Sequence, residues 1–121
     1  MSKPAADLPR ITLTSINPRR RITCNEQILA DSAQALQLDE RGYPPRLYFP
    51  WADVDAGLLQ LSDKTTHCPY KGDTQYYHVM VGEQRLANAA WCYPAPIDTM
   101  QAIAGRVAFD HVLLESEDAD D

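Results

Sequence analysis

The sequence DTQYYHVMV at residues 73–81 is the clearest β-strand signal in the chain. Gln75, Tyr77, Val79 and Val81 fall on one side of this strand, because successive side chains in a strand point to opposite faces. The pair Gly82-Glu83 follows as a hairpin turn, and QRLANAAWCY at residues 84–93 returns as a second strand. This hairpin predicts an antiparallel β sheet at the centre of the protein.

Shorter strands surround the hairpin in the sequence. Most of them are bounded by a proline, a glycine or a polar pair such as Asn25-Glu26, which predicts a tight turn. The segments between strands are too short for the crossover connections that parallel strands need. The chain is therefore predicted to be mainly β, with two antiparallel sheets of about eight strands. The other six predicted strands are 11–16, 20–24, 27–30, 46–49, 65–68 and 106–114.

One or two short helices are predicted within this β framework. Trp51, Val54 and Leu58 fall on one helical face in residues 51–59. The second helix is predicted at 97–104, where Gly105 suits the C-terminal cap. One β domain is expected over residues 11–114, with a loose N-terminal leader at 1–10 and a solvated acidic tail, ESEDADD, at 115–121.

The charge balance of the chain disfavours two classes of partner. The 121 residues carry 11 Lys+Arg and 17 Asp+Glu, for a formal net charge of −6. Acidic proteins bind nucleic acid and anionic membranes poorly, so neither is an expected partner. The tail supplies most of the excess charge, which leaves the domain close to neutral and compatible with a local cationic site.

Cysteine usage and the N-terminal segment predict a cytoplasmic protein. Cys24, Cys68 and Cys92 are odd in number and far apart, which indicates free thiols rather than a disulfide framework. The first ten residues carry no apolar signal segment, and no run approaches the roughly 18 apolar residues of a membrane span.

The segment TTHCPYKG at residues 65–72 places the most reactive side chains together. Cys68 is a candidate nucleophile, but His67 and Cys68 are adjacent in a strand and face opposite ways, which favours a small buried cysteine. Lys71 is the better candidate for a site. It precedes Gly72, where the backbone can approach a ligand closely, although a solvated lysine at a turn is the alternative.

Metal and carboxylate chemistry receive weaker support from the residue spacing. Six side chains could ligate zinc, but none form the close pairs of structural zinc sites, so no metal and no cofactor are predicted. Asp31 and Asp53 are candidate functional carboxylates, with a turn and a helix start as the structural alternatives. Arg19 and Arg21 would share one strand face and could clamp an anion. The six zinc candidates are Cys24, Cys68, Cys92, His67, His78 and His111.

Aromatic residues occur in three segments that are predicted to be neighbouring strands. A tyrosine or tryptophan whose polar end reaches water often lines a cavity, whereas each one taken singly is more often core. Three such segments together favour at least one pocket-lining aromatic. The segments contain Tyr48, Phe49 and Trp51; Tyr76 and Tyr77; and Trp91 and Tyr93.

Several of these motifs resemble the bacterial domain-of-unknown-function family numbered 427. The resemblance covers about residues 19–110, and its most specific elements are the CPYKG and AAWxYP motifs. The remaining motifs are Tyr48-Phe49-Pro50, Asp53-Val54, Tyr76-Tyr77 and Gly105-x-x-Ala108-Phe109.

This resemblance implies a small β-tent-like fold, similar to methionine-sulfoxide reductase B and to the cereblon ligand-binding domain, with an aromatic-walled cleft between two sheets. Relatives with that fold often hold zinc through two CxxC pairs, which this chain lacks. The family also carries a nucleotidyltransferase label, although the chain has no Gly-Ser pair followed by paired aspartates. The family pattern falls on Asp31, Tyr48, Asp53, Cys68, Lys71, Tyr76 and Trp91.

These observations predict a domain that binds, and could turn over, a small polar or anionic metabolite in an aromatic-lined cleft. Trp91 and Tyr48 would form its walls, and Lys71 would contact the anion. Tyr76 and Asp31 would form hydrogen bonds to the ligand, with Asp53 and Cys68 as secondary candidates. The alternatives are a nucleotidyltransferase-like enzyme and a protein-interaction module without catalysis. Expected partners are a small-molecule ligand and, as a further candidate, a second copy of the chain in a homodimer.

Overall fold

The computed structural model describes residues 10–16, 19–110 and 115–118. That part of the chain is mainly β, with two antiparallel sheets, as predicted. Its strands outnumber the predicted eight because β4 and β10 were not anticipated. Of the leader predicted at residues 1–10, residues 1–9 lie outside the described residues. The strands are β1 (Ile11–Ser15), β2 (Arg20–Cys24), β3 (Gln27–Ser32), β4 (Leu36–Glu40), β5 (Arg46–Pro50), β6 (Leu59–Cys68), β7 (Gly72–Val81), β8 (Gln84–Cys92), β9 (Arg106–Phe109) and β10 (Glu115–Asp118).

Seven strands form a large sheet in the order β1-β4-β5-β9-β8-β7-β6, and the small sheet has the order β10-β2-β3. The predicted hairpin is present as β7 and β8, and it places Tyr76 opposite Trp91. β9 lies between β5 and β8, so that Ala108 is opposite both Tyr48 and Trp91. This register brings three segments that are distant in sequence to one place on the sheet.

One face of the large sheet packs against the small sheet. Phe49, Val79 and Val107 of the large sheet share a fully buried cluster with Ile22 and Leu29 of the small sheet. Burial of aliphatic and aromatic side chains of this size contributes roughly 1.5–3 kcal/mol each to the free energy of folding. This cluster is the main hydrophobic core.

The opposite face of the large sheet carries a second, more polar core. Tyr48, Tyr93 and Ala108 pack there with Met100 and Ile103, which come from a 3-10 helix at Asp98–Ile103. The predicted second helix is therefore present in 3-10 form, with a kink at Met100. Because this helix covers only part of the face, the remainder is open to a cleft.

The first predicted helix, at residues 51–59, is wrong. The chain forms two short 3-10 turns, Trp51–Asp53 and Ala56–Leu58, and then enters β6 at Leu59. Val54 is extended and forms a β-bridge with Ala30, which interrupts the helical period between the two turns. The spacing of Trp51, Val54 and Leu58 reflects packing against the main core rather than an α-helix.

β6 is longer than predicted and lies at the edge of the large sheet. Residues 62–64 form a bulge, since the pairing register with β7 shifts between Leu61 and Thr65. A bulge and a lysine on an edge strand hinder pairing with the edge of another sheet. Lys64 lies in this bulge.

The small sheet contains both a confirmed turn and an unexpected strand. Asn25 and Glu26 have positive φ angles of 50° and 68°, as the tight turn between β2 and β3 requires. β10 pairs with β2 and places acidic positions opposite Arg20 and Arg21. The segment that we predicted as a solvated acidic tail therefore begins with a strand. Residues 119–121 lie outside the described part of the chain.

Within the described residues, no helix has the length and apolar character that crossing a membrane requires.

Candidate functional site

The second face of the large sheet opens into a cleft of about 330 Å³. Its side chains come from alternate positions on β4, β5, β6, β7 and β8, which point to the same face because of the two-residue repeat of a strand. The cleft combines aromatic walls with three charged groups. The lining residues are Leu38, Glu40, Tyr43, Pro44, Arg46, Tyr48, Thr66, Cys68, Lys71, Thr74, Tyr76, Trp91 and Tyr93.

Five of the seven candidate residues chosen from the sequence line this single cleft. They are Tyr48, Cys68, Lys71, Tyr76 and Trp91. They lie on strands or turns that are far apart in the chain, and the pairing of β5, β9, β8, β7 and β6 brings them together.

A hydrogen bond between two aromatic residues forms one wall of the cleft. The indole Nε1–H of Trp91 donates to Tyr48 Oη at 3.2 Å. The fully buried Ala108 lies opposite both residues in the sheet, and its short side chain leaves the space in which they meet. The Tyr76 ring continues the wall, with its centroid 6.5 Å from that of Trp91.

The CPYKG motif forms the tight turn that positions Lys71. The Lys71 N–H donates to the carbonyl of Cys68, and the Lys71 carbonyl accepts from the N–H of Ile97. Gly72 has a φ of +126°, and a Cβ atom there would lie only 3.1 Å from Pro96 Cα. We expected the backbone at Gly72 to admit a ligand. The structure shows instead that the chain's own segment around Pro96 approaches it.

Lys71 and Glu40 form a buried ion pair in the cleft. Lys71 Nζ donates to Glu40 Oε1 at 2.5 Å, and the two side chains are only 10% and 9% exposed. Arg10 Nε lies 3.6 Å from the other carboxylate oxygen of Glu40. Burial acts to lower the pKa of Lys71, but the hydrogen bond to Glu40 and nearby negative groups outweigh it, so the net pKa is raised. Lys71 is therefore held as a cation.

Three cations of the chain lie near the aromatic rings of the cleft. Arg46 lies 5.5 Å from the ring centroid of Trp91. Lys64 lies 4.6 Å from that of Tyr76, and Lys71 lies 5.9 Å from that of Tyr93. Cations within about 6 Å of an aromatic face are attracted by its electron density. The aromatic walls thus hold positive groups at the cleft, although the chain as a whole is acidic.

Two phenols in the cleft resist ionisation. Burial raises the pKa of Tyr48 above its ordinary value, and the hydrogen bond from Trp91 only partly offsets this effect. Burial also raises the pKa of Tyr93, against the opposing effects of Thr74 and Lys71. Both groups are neutral at physiological pH, where each can donate or accept a hydrogen bond.

Asp31 and Asp53 lie away from the cleft lining. Arg19 donates to both carboxylate oxygens of Asp31, at 2.6 and 2.8 Å, and Arg21 lies 3.3 Å away. The hydrogen bond from Arg19 is the main reason that the pKa of Asp31 is lowered. This arginine pair, which we considered as an anion clamp, thus holds a carboxylate of its own chain.

Asp53 has a local structural partner. Its carboxylate accepts a hydrogen bond from Ser32 Oγ at 2.6 Å, which ties the first 3-10 turn to the end of β3. The structure therefore separates both aspartates from the five cleft residues.

The remaining reactive side chains are dispersed over the molecule. His67 faces away from the cleft and lies 2.7 Å from Asp73 on the exposed surface, while Cys68 lines the cleft, as the alternation of faces predicted. Cys24, Cys68 and Cys92 are free thiols. Among the residues whose placement is described, no three His, Cys, Asp or Glu side chains converge as a metal site would require. His111 lies outside those residues.

Glu40, Arg46 and Tyr93 line the cleft but were not chosen from the sequence as site residues, although Tyr93 lies in one of the three aromatic segments. Tyr93 belongs to the AAWCYP motif and shares its face with Trp91, two residues earlier, so the strand period could have identified it. Arg46 begins a strand that we predicted. Glu40 carries no local signal, because its partner Lys71 is 31 residues away.

Comparison with known proteins places the chain in a family. The family described as Domain of unknown function (DUF427) matches residues 12–119. The chain belongs to this family, as its motifs indicated. No curated protein matches the chain.

Proposed function

We propose that this DUF427 protein binds a small polar or anionic metabolite in the cleft of its large sheet. The observation that carries the proposal is the buried Lys71–Glu40 pair within an aromatic-walled cleft. Taking two charges out of water costs several kcal/mol per ion, and a chain gains little stability from doing so. A role in ligand binding would explain why the chain places this energetically costly ion pair in the cleft.

The charges around the cleft favour an anion over a cation. Glu40 is the one acidic group in the described lining, and both Lys71 and Arg10 lie against its carboxylate. Arg46 also lines the cleft, and Lys64 lies at the ring of Tyr76. In the described lining, the two cations Lys71 and Arg46 accompany the single carboxylate of Glu40, and this excess of positive charge raises the local concentration of anions.

The size and walls of the cleft suit a small organic molecule. A volume of about 330 Å³ is at the lower end of the range for ligand pockets. Such pockets combine apolar and aromatic walls with a few well-placed polar groups. Here Trp91, Tyr76 and Leu38 supply the walls, and the hydroxyls of Thr66 and Tyr76, which lie 3.1 Å apart, supply hydrogen-bonding groups.

The decisive experiment is a thermal-shift and calorimetric screen of small carboxylates and phosphates with two opposed variants. Lys71→Met removes the buried cation and should weaken anion binding by tenfold or more, since a charge-assisted hydrogen bond is worth about 1.5–3 kcal/mol. Glu40→Gln keeps the shape and an acceptor for Lys71 but removes the negative charge beside it, and should strengthen binding of the same anion. Arg20→Gln, on the small sheet, removes one positive charge elsewhere and should leave the affinity unchanged.

Three other outcomes would contradict the proposal. Stabilisation by a nucleotide that depends on Mg²⁺, with no response to small acids, would favour a nucleotidyltransferase-like enzyme. Capture of a protein partner that survives Lys71→Met and Trp91→Ala, without any small-molecule response, would favour an interaction module. Equal anion affinity in Lys71→Met and Glu40→Gln would move the binding site away from the cleft.

Location and assembly are part of the same proposal. The free thiols of Cys24, Cys68 and Cys92 support a role in the reducing cytoplasm of a bacterium. A homodimer is a further candidate state, and sedimentation at several protein concentrations would test it.

A further inference from the structure

We infer that the ligand of the cleft is a small aromatic carboxylate, an inference that rests on the proposed binding function. The charges favour an anion but do not distinguish an aliphatic acid from an aromatic one. The shape and composition of the walls make that distinction. The walls that make this distinction lie between Trp91 and Lys71.

The walls are built mainly from aromatic rather than aliphatic side chains. Trp91 and Tyr76 form a continuous wall, and Tyr48 fixes the indole through its hydrogen bond. Two of the 13 lining residues, Leu38 and Pro44, are aliphatic, whereas five are aromatic. An aromatic pair gains about 0.5–1.5 kcal/mol beyond the burial of the same area, so these walls prefer a flat ring to a saturated one.

The cations lie beside the same rings. Arg46 is at the ring of Trp91 and Lys71 is at the ring of Tyr93, and these two rings share one face of the hairpin at positions two residues apart. A ligand ring against Trp91 would therefore carry its carboxylate toward these two cations. A guanidinium has five N–H donors and also stacks on aromatic rings, so Arg46 can donate to a carboxylate beside Trp91 while it keeps the contacts that it already makes.

The test uses three probe molecules of similar size on the full chain. Benzoate has the ring and the charge, cyclohexanecarboxylate has the charge without the π surface, and benzamide has the ring without the charge. The chain has two tryptophans, so each titration reports on two indole N–H signals in the nitrogen–proton NMR spectrum. Trp51 packs on Tyr77 in the main core and acts as an internal control, and Trp51→Phe assigns the two signals.

We expect benzoate to move the Trp91 signal while the Trp51 signal stays in place. Its affinity should exceed that of cyclohexanecarboxylate by about three- to tenfold and that of benzamide by about tenfold. Arg46→Gln should reduce the preference for benzoate over benzamide, and the Lys71 ammonium should retain part of it. Arg20→Gln, on the small sheet, should retain it.

Two results separate failure of this inference from failure of the proposed function. Equal affinities for benzoate and cyclohexanecarboxylate, with movement of the Trp91 signal alone, would overturn the aromatic assignment and leave an anion-binding cleft. If no carboxylate or phosphate moves the Trp91 signal, both the inference and the proposed function fail. Movement of both indole signals would overturn the inference and the proposed function together, because the effect of the ligand would then not be confined to the cleft.

Discussion

Tyr48 and Phe49 are consecutive residues of β5, and both are almost completely buried, yet they belong to two different regions of the molecule. Phe49 points to the small sheet and packs in the main hydrophobic core, where the ring centroid of Phe109 is 6.2 Å away. Tyr48 points to the cleft and accepts a hydrogen bond from Trp91. The two faces of one sheet thus differ in the polarity of their buried groups rather than in the extent of burial.

If the cleft binds a ligand as we propose, this difference separates the groups that stabilise the fold from the groups that bind. The face covered by the small sheet excludes water, and a polar group there without a partner would cost about 1–3 kcal/mol. The other face is only partly covered by the 3-10 helix at Asp98–Ile103, so its buried polar groups can also serve the cleft. Substitutions on the face toward the small sheet should therefore change mainly the free energy of unfolding, whereas substitutions in the cleft should also change ligand affinity.

The largest effect is expected on the face toward the small sheet. Phe49→Ala leaves a cavity among fully buried side chains and should lower the free energy of unfolding by about 3–5 kcal/mol. Urea denaturation followed by circular dichroism would measure the loss. The protein that remains folded should bind the cleft ligand with unchanged affinity. A loss of affinity in folded protein would show that the two faces are coupled.

An intermediate effect is expected for the ion pair of the cleft. Lys71→Met leaves the Glu40 carboxylate buried without its main partner and should cost about 1–3 kcal/mol of stability. The double variant Lys71→Met/Glu40→Leu removes both charges and should recover most of that loss, because apolar replacements of buried pairs are often neutral or stabilising. If the double variant is no more stable than the single one, the pair contributes to stability as well as to binding.

A smaller effect, with a distinct pH dependence, is expected for the phenol of Tyr48. Tyr48→Phe removes one acceptor and should cost about 0.5–1.5 kcal/mol at pH 7. Burial raises the pKa of Tyr48, so above about pH 10 the unfolded chain loses this proton while the folded protein retains it, and stability falls as the pH rises.

Tyr48→Phe lacks that group, so between pH 10 and 11 its free energy of unfolding should fall by about 1 kcal/mol less than that of the parent protein. Urea titrations at the two pH values would measure the difference. Parallel losses in both proteins would mean that the phenol ionises equally well in the folded state.

The smallest effect is expected for the exposed pair on the small sheet. Asp31→Asn weakens its interactions with Arg19 and Arg21 and should cost about 0–1 kcal/mol at pH 7, since solvent screens exposed ion pairs. Its pKa is lowered in the folded state, so its contribution is present above the ordinary pKa and is lost as the pH falls through the folded value.

The difference between Asp31→Asn and the parent protein should therefore shrink as the pH is lowered from about 5 to about 2. Thermal unfolding of both proteins at several pH values would measure this difference in stability. A difference that grows in acid would show that the carboxyl is protonated in the folded protein.

The candidate residues show which parts of the site sequence reasoning could reach. The CPYKG and AAWCYP motifs pointed to Lys71 and Trp91, and both line the cleft. The same local patterns also led us to include Asp31 among the site residues. An acidic residue at the end of a strand looks the same in the sequence whether it contacts a ligand or an arginine of its own chain. The helix predicted at residues 51–59 failed for a similar reason, since Val54 follows its long-range bridge with Ala30 rather than the local period.

Local sequence pattern was sufficient to predict the mainly β class, the hairpins β7–β8 and β2–β3, and the alternation of side chains between the two faces of a strand. These features depend on neighbouring residues, because the two-residue repeat of a strand and the backbone angles of a turn are set over a few positions. The meeting of Lys71 with Glu40, and of Trp91 with Tyr48 across Ala108, depends on which strands lie side by side. Strand order is decided by how the whole chain buries its apolar surface, and that surface is shared by residues far apart in the sequence.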